Sequence, residues 1–244
     1  MEFIGPPAEA DNPQYDRRHA AFKKFAANMV SIAAGTITLK DGRTGWLETV
    51  NLLPFRINKF VVTQEEYLLI SHDREMDTTD RTKPIVDVSW DDAIRFCNLL
   101  SQKAGLPACY SWNSTGEIAC DWQSGGYRLP SEAEWEFACR AGSNLIRYGE
   151  LDDIAWYRDN AEQRLHAVGT RQPNDWRLYD MIGNVWEWCW DVYDPKVYGA
   201  YRVFRGGGWC DPPYGCRASC RRKSHPTFHI DDLGFRIAQS LHSS

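Results

Sequence analysis

The residues of this 244-residue chain that could do chemistry gather near its C-terminal end. Of eight cysteines, Cys210, Cys216 and Cys220 stand together, with Asp211 among them. Thiolates in such a group could bind a soft metal ion or take part in redox chemistry. The others, Cys97, Cys109, Cys120, Cys139 and Cys189, are scattered. No Cys-x-x-Cys pair occurs, and no histidine stands at zinc-finger spacing from a cysteine pair, which argues against a structural zinc site. The even count allows disulfides, but a chain of this size with no visible export signal more often keeps thiols. His225 and His229 lie four apart, yet Pro226 between them disfavours a helical metal pair. A second candidate is the stretch from Asp180 to Glu187. These two carboxylates flank Gly183, which permits a tight turn. Oxygen donors on such a turn suit calcium; an acidic turn without metal is the alternative.

Around the cysteines the charge is local. Six basic residues (Arg202, Arg205, Arg217, Arg221, Arg222 and Lys223) accompany one acid, Asp211. A solvated or internally paired face is the ordinary explanation of such a run. The chain as a whole carries −5, which argues against a nucleic-acid binder that relies on bulk charge. Hydrophobic residues at 43% and charged residues at 25% are those of a globular chain. No apolar run approaches the roughly 18 residues of a transmembrane helix. Met1 to Gly5 is too short for the apolar core of a signal peptide, and the compartment stays unspecified.

Several elements must position these residues. Residues 1–27 read as a polar N-terminal arm and 28–244 as a single domain. The alternation after the AAG turn predicts a hairpin over Met29 to Leu39, and Phe55 to Val62 a strand. Helix starts are marked by Thr63 with Glu66, by Ser89 with Asp92, and by Ser131 with Glu134. Ser71 to Lys83 reads as a loop. Cys109 to Trp112 and Glu117 to Trp122 form a short hairpin. The glutamates and tryptophan after Ser131 read as structural. Beyond Ala141 helical periodicity gives way to short extended runs among aromatic residues. The class is α+β.

Four segments are specific as a set. They are Gly126-Tyr127-Arg128-Leu129-Pro130-Ser131-Glu132-Ala133-Glu134-Trp135-Glu136-Phe137-Ala138, Leu178-Tyr179-Asp180-Met181-Ile182-Gly183-Asn184-Val185-Trp186-Glu187-Trp188, Arg202-Val203-Phe204-Arg205-Gly206-Gly207-Gly208-Trp209 and Leu233-Gly234-Phe235-Arg236. Their order and spacing over roughly residues 28 to 238 resemble the sulfatase-modifying-factor family, which includes the formylglycine-generating enzyme. Its superfamily also holds ergothioneine-type sulfoxide synthases, PvdO-type proteins and retroelement-diversified variable proteins. The resemblance implies a loop-rich, C-type-lectin-like fold. It implies a calcium loop using the side chains of Asp180 and Glu187 and the carbonyls of Gly183 and Val185. A second calcium site would fall near Asp159, Asn160 and Glu162. The family's copper(I) enzyme uses two cysteines after the Gly-Gly motif. Their positions fall here on Asp211 and Cys216, a neighbouring serine falls on Gly208, and Trp186 matches an active-site tryptophan. The iron histidines of the sulfoxide synthases lie largely on a separate helical domain not matched here.

Two functional readings follow, beside a blander one of a scaffold subunit. In the first, residues 210–232 form a binding surface for a protein, peptide or small-molecule ligand. Tyr214, Arg217, Arg221, Arg222, His225, Phe228 and His229 would supply its aromatic and basic anchors. In the second, the chain is a metal-dependent oxidoreductase with an altered centre: Cys216 with Asp211 or Cys210, walled by Trp186. An extended segment would point Cys210 away from Asp211, although Pro212 and Pro213 could turn it.

Overall fold

The computed structural model describes residues 23, 25–42, 44–71 and 80–241. Most of the expected loop from Ser71 to Lys83 falls outside these, as do His19, His72 and His242. Phe25, assigned above to the arm, is buried in the core and meets Phe96 edge-on at 6.3 Å. The packed unit therefore begins before residue 28.

β1 (Met29–Ile32) and β2 (Gly35–Asp41) do not form the expected hairpin. Alternation identified the strands but not their partners. β2 pairs with β3 (Trp46–Leu52), while β1 runs antiparallel to β4 (Phe55–Asn58). The latter strand stops at Asn58, short of the expected Val62.

The caps fall where the sequence placed them. Glu66 Oε2 accepts both the N–H and the hydroxyl of Thr63, and Thr63 Oγ1 accepts the Glu66 N–H, opening α1 (Gln64–Ser71). Ser89 and Asp92 close the same reciprocal box before α2 (Trp90–Lys103). The hairpin of β5 (Tyr110–Trp112) and β6 (Ile118–Cys120) forms as expected. After β7 (Tyr127–Arg128), Ser131 and Glu134 box α3 (Glu132–Arg140). Each box satisfies amide donors that a helix start leaves open.

The remainder is short elements: α4 (Leu151–Ile154), β8 (Trp186–Val192), α5 (Pro195–Tyr198), β9 (Arg202–Arg205), β10 (Arg221–Ser224), β11 (Leu233–Phe235) and β12 (Ala238–Ser240). One sheet has the order β1-β4-β12-β7, so strands from early and late in the described residues flank β4. The other has the order β10-β9-β8-β11, with β11 parallel to β8. That parallel pairing needs a long crossover. The crossover carries residues 206–232, so the sheet fixes both ends of the segment where the cysteines and arginines lie. Among the described residues no helix is long and apolar enough to cross a membrane.

Two apolar clusters hold these layers. Tyr67, Trp90, Phe96, Trp186, Trp188 and Phe235 fill one, and Ile37, Leu39, Trp135, Met181 and Cys216 belong to the other. The glutamates of α3 are structural. Glu134 takes a bidentate bond from Arg128 at 2.7 Å, Glu132 pairs with Arg205 and Arg221, and Glu136 pairs with Arg205 and Arg140. Glu132 and Glu136 share a helix face, which brings both to Arg205. Much of the basic run is thereby paired internally.

Candidate functional site

After β9 the chain turns through Gly206 and Gly207, at φ 106° and 88°. These are left-handed values that glycine accepts without strain. A side chain at Gly207 would meet Cys216 Sγ at 3.0 Å, and one at Gly208 would meet Asp232 Oδ2 at 2.3 Å. The glycines therefore let two later parts of the crossover close onto the strand.

Asp211 is the hub of the turn that follows. Its N–H donates to Gly208 O at 3.1 Å. Its Oδ2 accepts Gly208 N–H at 2.9 Å and Trp186 Nε1–H at 2.6 Å, and its Oδ1 accepts Arg222 at 2.7 Å. The Arg222 guanidinium also lies over the Trp186 ring, 4.6 Å from its centroid. Asp211 thus anchors the crossover to β8 and β10.

The cysteines divide. Cys216 is buried against Gly207, and burial, then the Asp211 charge, pushes its thiol up to about 12. Cys210 is exposed and its Sγ lies 3.2 Å from Asp232 Oδ2. Partial burial and the Asp232 charge push that thiol up to about 12 as well. Both are therefore thiols at neutral pH. The turn defeats the extended-strand expectation for Cys210: ligand atoms of Cys210, Asp211 and Asp232 all lie within 4.8 Å of one another. Cys216 is not in that group. Copper(I) prefers thiolate donors. One buried thiol beside a carboxylate bound by three donors does not fit that ion.

Four of the seven expected binding residues line one cavity of about 510 Å³, which also meets Asp41 and Cys220. Tyr214 is 66% exposed. Arg217 is exposed, and no hydrogen bond or ion pair engages its guanidinium among the described residues. Arg222 reaches in from its bond to Asp211. Arg221 is a correction: it is buried, bidentate to Glu132 at 2.6 and 2.8 Å, and lies over the Trp46 and Tyr193 rings. It forms wall, not a free contact. His225, Phe228 and His229 do not line this cavity. His225 Nδ1 is 2.8 Å from Thr227 Oγ1, and His229 Nδ1 is 2.6 Å from Asp87 Oδ1.

The loop expected to hold calcium is a tight turn, with positive φ at Asp180, Gly183 and Asn184. Asp180 is buried, accepts the Gly169 N–H at 2.7 Å, and has its carboxyl raised to about 6 by that burial. Glu187 takes two bonds from Arg236 and one from Trp135. A carboxylate has about four lone-pair positions, so one remains for a cation. These donors fit a calcium ion, with Asp180 the less committed carboxylate. The second site fits poorly. Asn160 spends its oxygen on the Tyr157 N–H and its amide on Ala155 O, while Glu162 pairs with Arg164 at the surface.

The signature of the sulfatase-modifying factor enzyme 1-like domain matches residues 17–241. The chain belongs to this family. A chaperone protein LppX of Paenibacillus barcinonensis is 28% identical over 79% of this chain and 82% of its own length. The inactive C-alpha-formylglycine-generating enzyme 2 of Mus musculus is 36% identical over 58% of this chain, and the match spans about half of that protein, 51%. Treponema denticola variable protein 1 superposes with a TM-score of 0.78 at 30% identity, covering 87% of this chain and 95% of that one. The fold is the α+β, C-type-lectin-like fold of the sulfatase-modifying-factor family, as the motifs implied. Sequence reasoning missed Asp232 and Asp41, which only the fold brings to the site.

Proposed function

We propose that this member of the sulfatase-modifying factor family is a binding protein, with residues 210–232 as its recognition segment and without two-cysteine copper oxidase chemistry. The observation that carries this reading is the cavity itself. It presents the unpaired Arg217, the exposed Tyr214 and the Asp211-anchored Arg222 on a rigid crossover. The ligand it suits is a peptide or small molecule bearing an anionic group, because the cation left unpaired there among the described residues is the Arg217 guanidinium, which binds carboxylate and phosphate through paired bonds. A cavity of about 510 Å³ is the size of small-molecule sites. Asp211, which the resemblance aligns with the family's first copper cysteine, anchors the crossover to Trp186, Gly208 and Arg222.

Calorimetry with triglutamate and with inorganic phosphate as first probes tests this. Saturable binding to the wild type should weaken at least tenfold in Arg217→Glu and measurably in Tyr214→Ala. Binding indifferent to both substitutions, or none by either probe, would reject an anion-recognising cavity.

Calcium enters the proposal as a structural ion, held by the Asp180 and Glu187 side chains with the Gly183 and Val185 carbonyls. It would neutralise the buried Asp180. Chelation should lower the melting temperature by roughly 5–10 °C relative to free calcium about a hundredfold above Kd. Asp180→Asn should remove that response. Asp180 is the better probe because Glu187 also carries the Arg236 pair. An unchanged midpoint on chelation would contradict the assignment.

A further inference from the structure

We propose that Cys210, Asp211 and Asp232 form a divalent metal site of zinc type, one thiolate and two carboxylates, with a position left open to solvent. The ligand atoms lie within 4.8 Å of one another, and Cys210 Sγ is already 3.2 Å from Asp232 Oδ2. Ligands around tetrahedral zinc sit about 3.4–3.6 Å apart, given zinc–sulfur and zinc–oxygen bonds of about 2.3 and 2.1 Å. Small rotations of these side chains would close the set on an ion.

Asp232 supplies the independent sign of a ligand. It is 6% exposed, yet no donor outside the cluster and no ion-pair partner reaches its carboxylate among the described residues. Its donor is the weak Cys210 S–H, which compensates a buried carboxylate less well than a cation would. The carboxylate is held toward Cys210 and occupies the space a side chain at Gly208 would fill. Its backbone is fixed, since Asp232 O accepts the Trp186 N–H at 2.7 Å. Asp211 is equally rigid and keeps one of its roughly four lone-pair positions after Trp186, Gly208 and Arg222 are served. Cys210 is the exposed member, so metal enters from solvent on its side. On binding, the Cys210 S–H proton passes to water as the metal–sulfur bond forms. Three protein ligands leave the fourth tetrahedral position for water.

Cobalt(II) reports such a site through a sulfur-to-cobalt charge-transfer band. Titration of the reduced full chain should give that band at one equivalent, with zinc displacing it. Cys210→Ala, a change at an exposed position, should abolish the band while circular dichroism stays unchanged. Asp232→Asn should weaken cobalt binding at least tenfold. Cys216→Ala and Cys220→Ala should leave the band in place. Absence of the band in the wild type, or its survival in Cys210→Ala, would overturn the site. Neither result depends on whether the neighbouring cavity binds anions.

Discussion

Arg236→Ala should destabilise the protein by about 3–5 kcal/mol, the range for stripping one partner from a buried ion pair. All five guanidinium donors are used. Nε and Nη2 hold the two Glu187 oxygens at 2.8 Å, Nη2 also donates to Tyr179 O at 2.8 Å, and Nη1 donates to Asn58 O and Lys59 O at 2.9 Å. Arg236 thereby joins the end of β4, the loop before Asp180 and strand β8, with no exposed surface. Its loss would leave the Glu187 charge buried with the Trp135 N–H as its remaining protein donor. The midpoint should fall by roughly 6–20 °C. Arg236→Met combined with Glu187→Leu should recover part of that loss, because replacing both ions removes the unpaired charge. Thermal denaturation of the two variants beside the wild type reads this directly. A single variant within about 1 kcal/mol of wild type would mean that Arg236 does not hold these elements.

The second large effect is expected at Asp211. Asp211→Ala removes the acceptor of two buried donors, Trp186 Nε1–H and Gly208 N–H. An unsatisfied buried donor costs about 1–3 kcal/mol, so the loss of both should total about 2–6 kcal/mol. The Arg222 pair adds little, since its side chain is 46% exposed and water can replace the carboxylate. Asp211→Asn keeps an acceptor for both buried donors and should cost far less. Chemical denaturation that ranks alanine well below asparagine would support the hub. Equal effects would place the weight on charge instead.

The sequence was most legible where the interaction is local. Thr63, Ser89 and Ser131 each meet a carboxylate three residues on, and a capping box needs nothing else. The turn between β5 and β6 is similarly short-range, closed by the Gly116 N–H on Asn113 O at 3.0 Å. The motif-rich segments also identified the fold, because they record the whole arrangement of loops. Pairing of strands was less legible: β1 lies beside β4, and nothing in its alternation names that partner. Phe25 follows Phe22 and two lysines, and nothing local marks it as core; its burial is made against Phe96, far along the chain. Arg221 and Arg222 are alike as residue types and adjacent on β10, yet one is buried against Glu132 and the other reaches the cavity. The pleat separates them, and a partner distant in sequence decides which is paired. Asp232 approaches Cys210 only because the crossover folds back on itself. In all these cases the deciding contact is made in space between residues that are far apart along the chain.

Anaerobic copper(I) titration against a competing chelator tests the absence of two-cysteine copper chemistry most directly, run on wild type, Cys210→Ala and Cys216→Ala. The expected result is weak binding, unaffected by Cys216→Ala, as suits a buried thiol without a thiolate partner. Tight one-to-one binding, lost in both variants, would contradict the reading of this chain as a binding protein and favour a metal-dependent oxidoreductase with an altered centre.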